Sequence, residues 1–111
     1  MRLIAGLWIV MVRLSDLEIQ EILNASKKAF GETAHVWLYG SRVNDEAKGG
    51  DIDLYIETDL NSEIVEGKLL MRRLLRSCFG EQKIDLLVHF RGDSAHPLGE
   101  IAKTRGLLLS L

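Results

Sequence analysis

Apolar and polar positions along this chain change period several times, and each change marks an element. From Ile19 to Phe30 the residues Ile19, Ile22, Leu23, Ser26, Ala29 and Phe30 recur at helical spacing and define one buried face. Ser15-Asp16-Leu17-Glu18 precedes them as a capping box, Leu14 and Ile19 occupy the hydrophobic-staple positions, and Gly31 is a natural stop. The period then drops to two. Ala34, Val36 and Leu38 alternate with His35, Trp37 and Tyr39, and both sets are partly apolar, which predicts an interior strand. A second strand follows, in which Ile52, Leu54 and Ile56 face a core while Asp51 and Asp53 face the other way.

Helical spacing returns after Asn61 or Ser62, either of which can cap a segment running to about Phe79. Val65, Leu69, Leu70, Leu74, Leu75, Cys78 and Phe79 form its expected buried side, and Gly80 ends it. Gly67 lies inside, where glycine costs about 1 kcal/mol relative to alanine. A third strand, Lys83 to Phe90, sets Ile84, Leu86, Val88 and Phe90 against Lys83, Asp85, Leu87 and His89. Pro97 suits the first turn of a short helix, 98–104, with Leu98, Ile101 and Ala102 expected inward. Gly106 stops that helix, and Leu107–Leu109 reads as a last strand or an apolar end.

The order is helix, strand, short helix, strand, long helix, strand, short helix. It predicts an α/β or α+β domain: a small mixed sheet with helices mainly on one face. With 111 residues the chain is one domain, able to bury about two-thirds of its unfolded surface. Residues 1–13 read as an apolar extension ahead of a domain over 14–111. Leu3 to Val12 is too short to span a bilayer, and no A-x-A-like site follows it. Met11 is an alternative start; an extra strand, a partner-binding segment and a signal-peptide core are the other readings.

A hydrophobic fraction of 47% with 27% charged residues describes a globular chain. A net charge of −2 argues against nucleic-acid binding through a broad basic surface. The single cysteine, Cys78, rules out an internal disulfide, fits a reducing cytoplasm and reads as a small buried hydrophobe.

The candidate chemistry lies between His35 and Glu57. Two carboxylates held about 4 Å apart repel by roughly 1 kcal/mol in water and about 4 kcal/mol near a protein surface, so a pair such as Asp51 and Asp53 calls for cations. Oxygen-only ligands favour Mg2+ over Zn2+. Gly40 permits a tight turn, and Ser41 can cap the segment 42–47, whose N–H groups would suit a phosphate. Arg42 reaches a phosphate or pairs with Asp45 or Glu46. Lys48 touches a nucleotide or is solvated.

Gly40-Ser41 followed by Asp51-x-Asp53 resembles the G-S…D-x-D signature of the DNA polymerase β-type nucleotidyltransferase superfamily. The short length resembles its minimal nucleotidyltransferases, often paired as antitoxins with HEPN-domain toxins. The resemblance extends from about Leu14 to about Gly106. The gap is nine residues, 42–50, where the common pattern has ten, and Gly50 stands where serine often precedes the first acid. The resemblance implies a metal-dependent transfer of AMP from ATP. One or two Mg2+ would sit on Asp51, Asp53 and a third acid, Asp85, which would orient or deprotonate the acceptor hydroxyl. Gly40, Ser41 and Arg42 would hold the nucleotide phosphates, and the acceptor would be a tyrosine hydroxyl on a HEPN toxin.

Other readings stay open. Asp85 can instead form a salt bridge with a neighbouring Lys or Arg. The protein can be an antitoxin that neutralises its partner by binding alone. Transfer to a small molecule such as an antibiotic is a third reading, although such enzymes usually carry a second domain. Arg72, Arg73 and Arg76 form a basic patch that is either a solvated face or a contact for an acidic partner or RNA. Glu57, Thr58 and Asp59 read as a surface exit from the strand. His35 reads as packed or exposed, His89 as polar edge, and Arg91-Gly92-Asp93 as a plain loop.

Overall fold

The computed structural model describes residues 14–39, 52–60 and 63–110. Over these it is a mixed α+β fold of three helices and a four-stranded sheet. The helices are α1 (Asp16–Phe30), α2 (Ile64–Phe79) and α3 (Pro97–Arg105). The strands are β1 (His35–Tyr39), β2 (Ile52–Thr58), β3 (Ile84–Phe90) and β4 (Leu107–Leu108). The sheet order is β3-β2-β1-β4, with β1 antiparallel to both neighbours and β2 parallel to β3. β1 is thus an interior strand, and 107–108 is a strand on its far side. The expected extension 1–13, the turn and short helix after Tyr39, and Asn61 and Ser62 lie outside the described residues.

The first helix forms as its sequence dictates. Ser15 Oγ accepts from the Glu18 amide at 3.0 Å, and Glu18 Oε1 accepts from the Ser15 amide at 2.9 Å. Leu14 and Ile19 are both buried. α1 and α2 cover one face of the sheet. Ile22, Phe30, Met71 and Leu75 close over Val36, Leu38, Ile52, Leu54, Ile56 and Leu86. Thr58, read from sequence as part of a surface exit, is buried here, because its hydroxyl donates to the Phe30 carbonyl at 2.7 Å and accepts from the Leu60 amide at 3.0 Å.

Gly67 gains a reason from the packing. A Cβ at this position would lie 2.5 Å from Phe30 Cε1 and 3.1 Å from the Ala29 carbonyl oxygen. α1 and α2 therefore approach where α2 has no side chain. This contact decides which side of α2 is buried. Gly67, Met71 and Leu75 face inward, while Val65 and Leu69 are 66% and 63% exposed, contrary to the apolar pattern. The helix also starts without a side-chain cap: Glu63 holds the N-cap position in the left-handed region, with φ 60°.

α3 lies on the opposite face. A Cβ on Gly99 would stand 2.5 Å from Tyr55 Cζ, and Tyr55 alternates with the core residues Leu54 and Ile56. Gly99 and Ala102 are the residues that face the sheet, and Leu98 and Ile101 are 49% and 50% exposed. The expectation that these two pack inward is corrected. Only the smallest residues of α3 permit the close approach, so its large apolar side chains are left outside.

Candidate functional site

The sheet face that carries no α1 or α2 contacts is built in three cross-strand rows. The register aligns Tyr39 with Asp53 and Asp53 with Asp85. It aligns Trp37 with Tyr55 and Tyr55 with Leu87, then His35 with Glu57 and Glu57 with His89. Residues two apart in a strand share a face, so all nine stand on one surface. One end of it is acidic, and the other is a polar network under α3.

At the acidic end, Asp53 and Asp85 occupy adjacent positions on parallel strands about 4.8 Å apart. Both are partly exposed. Tyr39 flanks Asp53 on the other side. Its hydroxyl is held above the ordinary tyrosine value, first by burial and then by the charges of Asp53 and Asp85. β1 ends and β2 begins here, so the connection between them leaves and re-enters the sheet beside the two acids. Gly40, Ser41, Arg42 and Asp51 belong to that connection and lie outside the described residues. Two of the three acids named from sequence are therefore side by side. Among the described residues there is no group of three or more His, Cys, Asp or Glu side chains placed to hold a metal.

The donor chemistry of the pair fits a hard divalent cation: its register row among the described residues holds two carboxylates and a tyrosine, with no imidazole or thiolate. Two like charges in adjacent register are also what a cation relieves.

At the other end the sequence reading needs correction. Glu57 is not a surface exit; its side chain is only 12% exposed and is surrounded by donors. Lys103 Nζ lies 2.8 Å from Glu57 Oε2, Tyr55 Oη donates to the same carboxylate at 2.9 Å, and Arg91 Nε stands at 3.8 Å. Burial alone would raise the Glu57 carboxyl, but the bonds from Lys103 and Tyr55 and the charges of Lys103 and Arg91 outweigh it and hold it below its usual range. Tyr55 is pushed well above the ordinary value by burial and by its bond to Glu57.

His89 is likewise more than polar edge. Its Nε2 is 2.8 Å from the Ser94 carbonyl, which can only accept, so that nitrogen is assigned the proton. Its Nδ1 lies 3.3 Å from Tyr55 Oη. Arg91 ties the loop after β3 to the start of β1: it donates to the Thr33 carbonyl at 2.6 Å and meets Asp59 at 2.9 Å and His35 Nδ1 at 2.9 Å. Lys103 also sits 5.9 Å from the centre of the Trp37 ring. This network docks α3 and closes the far end of the face. Period-two alternation from Asp53 places Tyr55 and Glu57 on its side, but Arg91 and Lys103 come from elements whose approach no local pattern announces.

No model of a known protein family matches this chain, and no curated protein matches it either. Among the described residues no helix is long and apolar enough to cross a membrane.

Proposed function

We propose that this protein is a metal-dependent nucleotidyltransferase that moves AMP from ATP to a hydroxyl group of a partner protein, and that it acts as an antitoxin toward a HEPN-type toxin. The observation that supports this reading is the adjacent register of Asp53 and Asp85. The two acids are 32 positions apart in sequence, and an acid on the third strand is what the resemblance requires. Across the sheet the row runs Asp85, Asp53, Tyr39, so the third-strand acid stands in register with an acid of the D-x-D pair.

In the proposed reaction the acceptor hydroxyl oxygen attacks the α-phosphorus of ATP. The new P–O bond forms as the bond from the α-phosphorus to the bridging oxygen breaks, and pyrophosphate leaves. The hydroxyl proton passes to the Asp85 carboxylate and then to water. Asp53 and Asp51 would hold Mg2+, whose charge would offset that of the phosphates. Gly40, Ser41 and Arg42 would hold the phosphate tail. No nucleophilic side chain is needed, because in-line displacement depends on position and charge.

The deciding experiment incubates the protein with α-labelled ATP, Mg2+ and the product of the neighbouring gene. Label should move to the partner with the intact chain and not with Asp53→Asn or Asp85→Asn. If both forms leave the partner unlabelled yet neutralise it equally, binding alone accounts for the function.

A further inference from the structure

We infer that the cleft between the C-terminal half of α2 and the start of β3 is an anion site that takes a phosphate group. This goes beyond the proposed transfer reaction, whose acids Asp53 and Asp85 stand on the sheet face turned away from α2.

The cleft is lined by Arg72, Arg76, Gly80, Gln82, Lys83 and Ile84. No carboxylate belongs to its lining among the described residues. Its volume is about 150 Å³, below the roughly 300 Å³ at which small-molecule pockets begin. It has room for a phosphate group and not for a nucleoside.

Among the described residues, Glu57, Asp59 and Glu100 form ion pairs with Arg91 and Lys103 at the opposite end of the sheet. Neither Arg73 nor Arg76 takes part in one. A cation near a helix C-terminus is favourable by itself, which accounts for Arg76 in the last turn but not for Arg72 a full turn earlier.

Arg72 is fixed in the wall. Its Nη1 donates to the Ile84 carbonyl, and this holds the guanidinium against the start of β3. Guanidinium carries five donors in a rigid fork, so most remain for an anion after one is used. The wall itself is anchored, because the Ile52 amide donates to the Lys83 carbonyl at 3.0 Å and so joins it to the strand that carries Asp53. Gly80, at φ +62°, has nothing within 4 Å of where a Cβ would stand, so the floor is open.

Two sources present this chemistry: the terminal phosphates of a free nucleotide, and the phosphodiester backbone of a single strand. Binding of pyrophosphate and of a short single-stranded RNA is measured without divalent metal, by titration calorimetry and by the amide signals of Gly80, Gln82 and Ile84. At least one ligand should bind, and Arg76→Gln should weaken it about tenfold. Arg73→Gln, which removes an equal charge outside the cleft, should change it less than twofold. Pyrophosphate binding identifies the free phosphate as sufficient; RNA binding alone identifies the strand. Absence of binding by both ligands, or equal losses from Arg73→Gln and Arg76→Gln, overturns the site. Asp85→Asn should leave this binding intact, so the site and the transfer reaction fail separately.

Discussion

Asp53 on β2 and Asp85 on β3 are register partners across a parallel pair, with no residue between them. Asp53 is the cross-strand neighbour of Asp85 on the edge strand, and is itself flanked by Asp85 on one side and Tyr39 on the other. Such a pair costs stability unless something positive shares it.

Replacing Asp85 by asparagine should then separate function from stability. Transfer activity should fall by at least 100-fold, the usual scale for losing a positioned acid or base. The fold should hold or gain, because a repulsion of about 1 kcal/mol is removed. That corresponds to a rise in Tm of roughly 4–8 °C for a domain near this size. Thermal unfolding without divalent metal, beside the labelled-AMP assay, checks both halves.

Tyr39 reports on the same charges. Its hydroxyl is held up by burial and by Asp53 and Asp85, so neutralising either acid should lower its titration midpoint. Saturating Mg2+ should do the same if the ion binds at the pair. Ultraviolet difference titration, with Tyr55→Phe as background, reads this without any turnover. A midpoint unmoved by Mg2+ would count against cation binding at these acids.

Glu57 should set the acid limit of stability at the covered end. Its folded pKa lies below its unfolded value, so its contribution is present above the ordinary glutamate value of about 4.3 and is lost as pH falls through the lower folded value. Glu57→Gln should lower stability at pH 7 by roughly 1–3 kcal/mol, since Lys103 and Tyr55 lose a charged partner. The variant's stability should also change less than the parent's between pH 5 and pH 3. Urea unfolding across that range measures the difference.

Gly67→Ala should destabilise despite alanine's higher helix propensity. Propensity favours the change by about 1 kcal/mol, but the new methyl would meet the buried Phe30 ring at 2.5 Å. Overpacking of this kind costs about 1–3 kcal/mol. The rigid neighbour decides the sign, and Phe30 is 1% exposed. Gly67→Ala combined with Phe30→Leu should recover part of the loss, which equilibrium unfolding would show.

Much of the fold was legible because local chemistry and tertiary demand agree. The capping box at Ser15 and Glu18 forms as written. Alternation placed the core faces at Ile52, Leu54 and Ile56 and at Ile84 and Leu86, and marked Asp85 as an acid needing company in an apolar strand. The misassignments arose where an apolar side chain competed with a close approach. Val65, Leu69, Leu98 and Ile101 fit helical spacing toward a core, yet Gly67 and Gly99 are the positions that face the neighbouring element. Hydropathy counts what a residue would gain by burial, and it does not record how near two backbones must come.

The sequence by itself determined the elements of the described residues, the capping of the first helix, the apolar faces of the strands and the acids available for chemistry, because each depends on residues a few positions apart. Only the tertiary structure decided that β3 lies parallel to β2 in the register that sets Asp85 against Asp53. It also decided that Glu57 is enclosed by Lys103 and Arg91. Both relations join groups more than 30 positions apart, and their geometry comes from how the sheet and helices pack rather than from any local pattern.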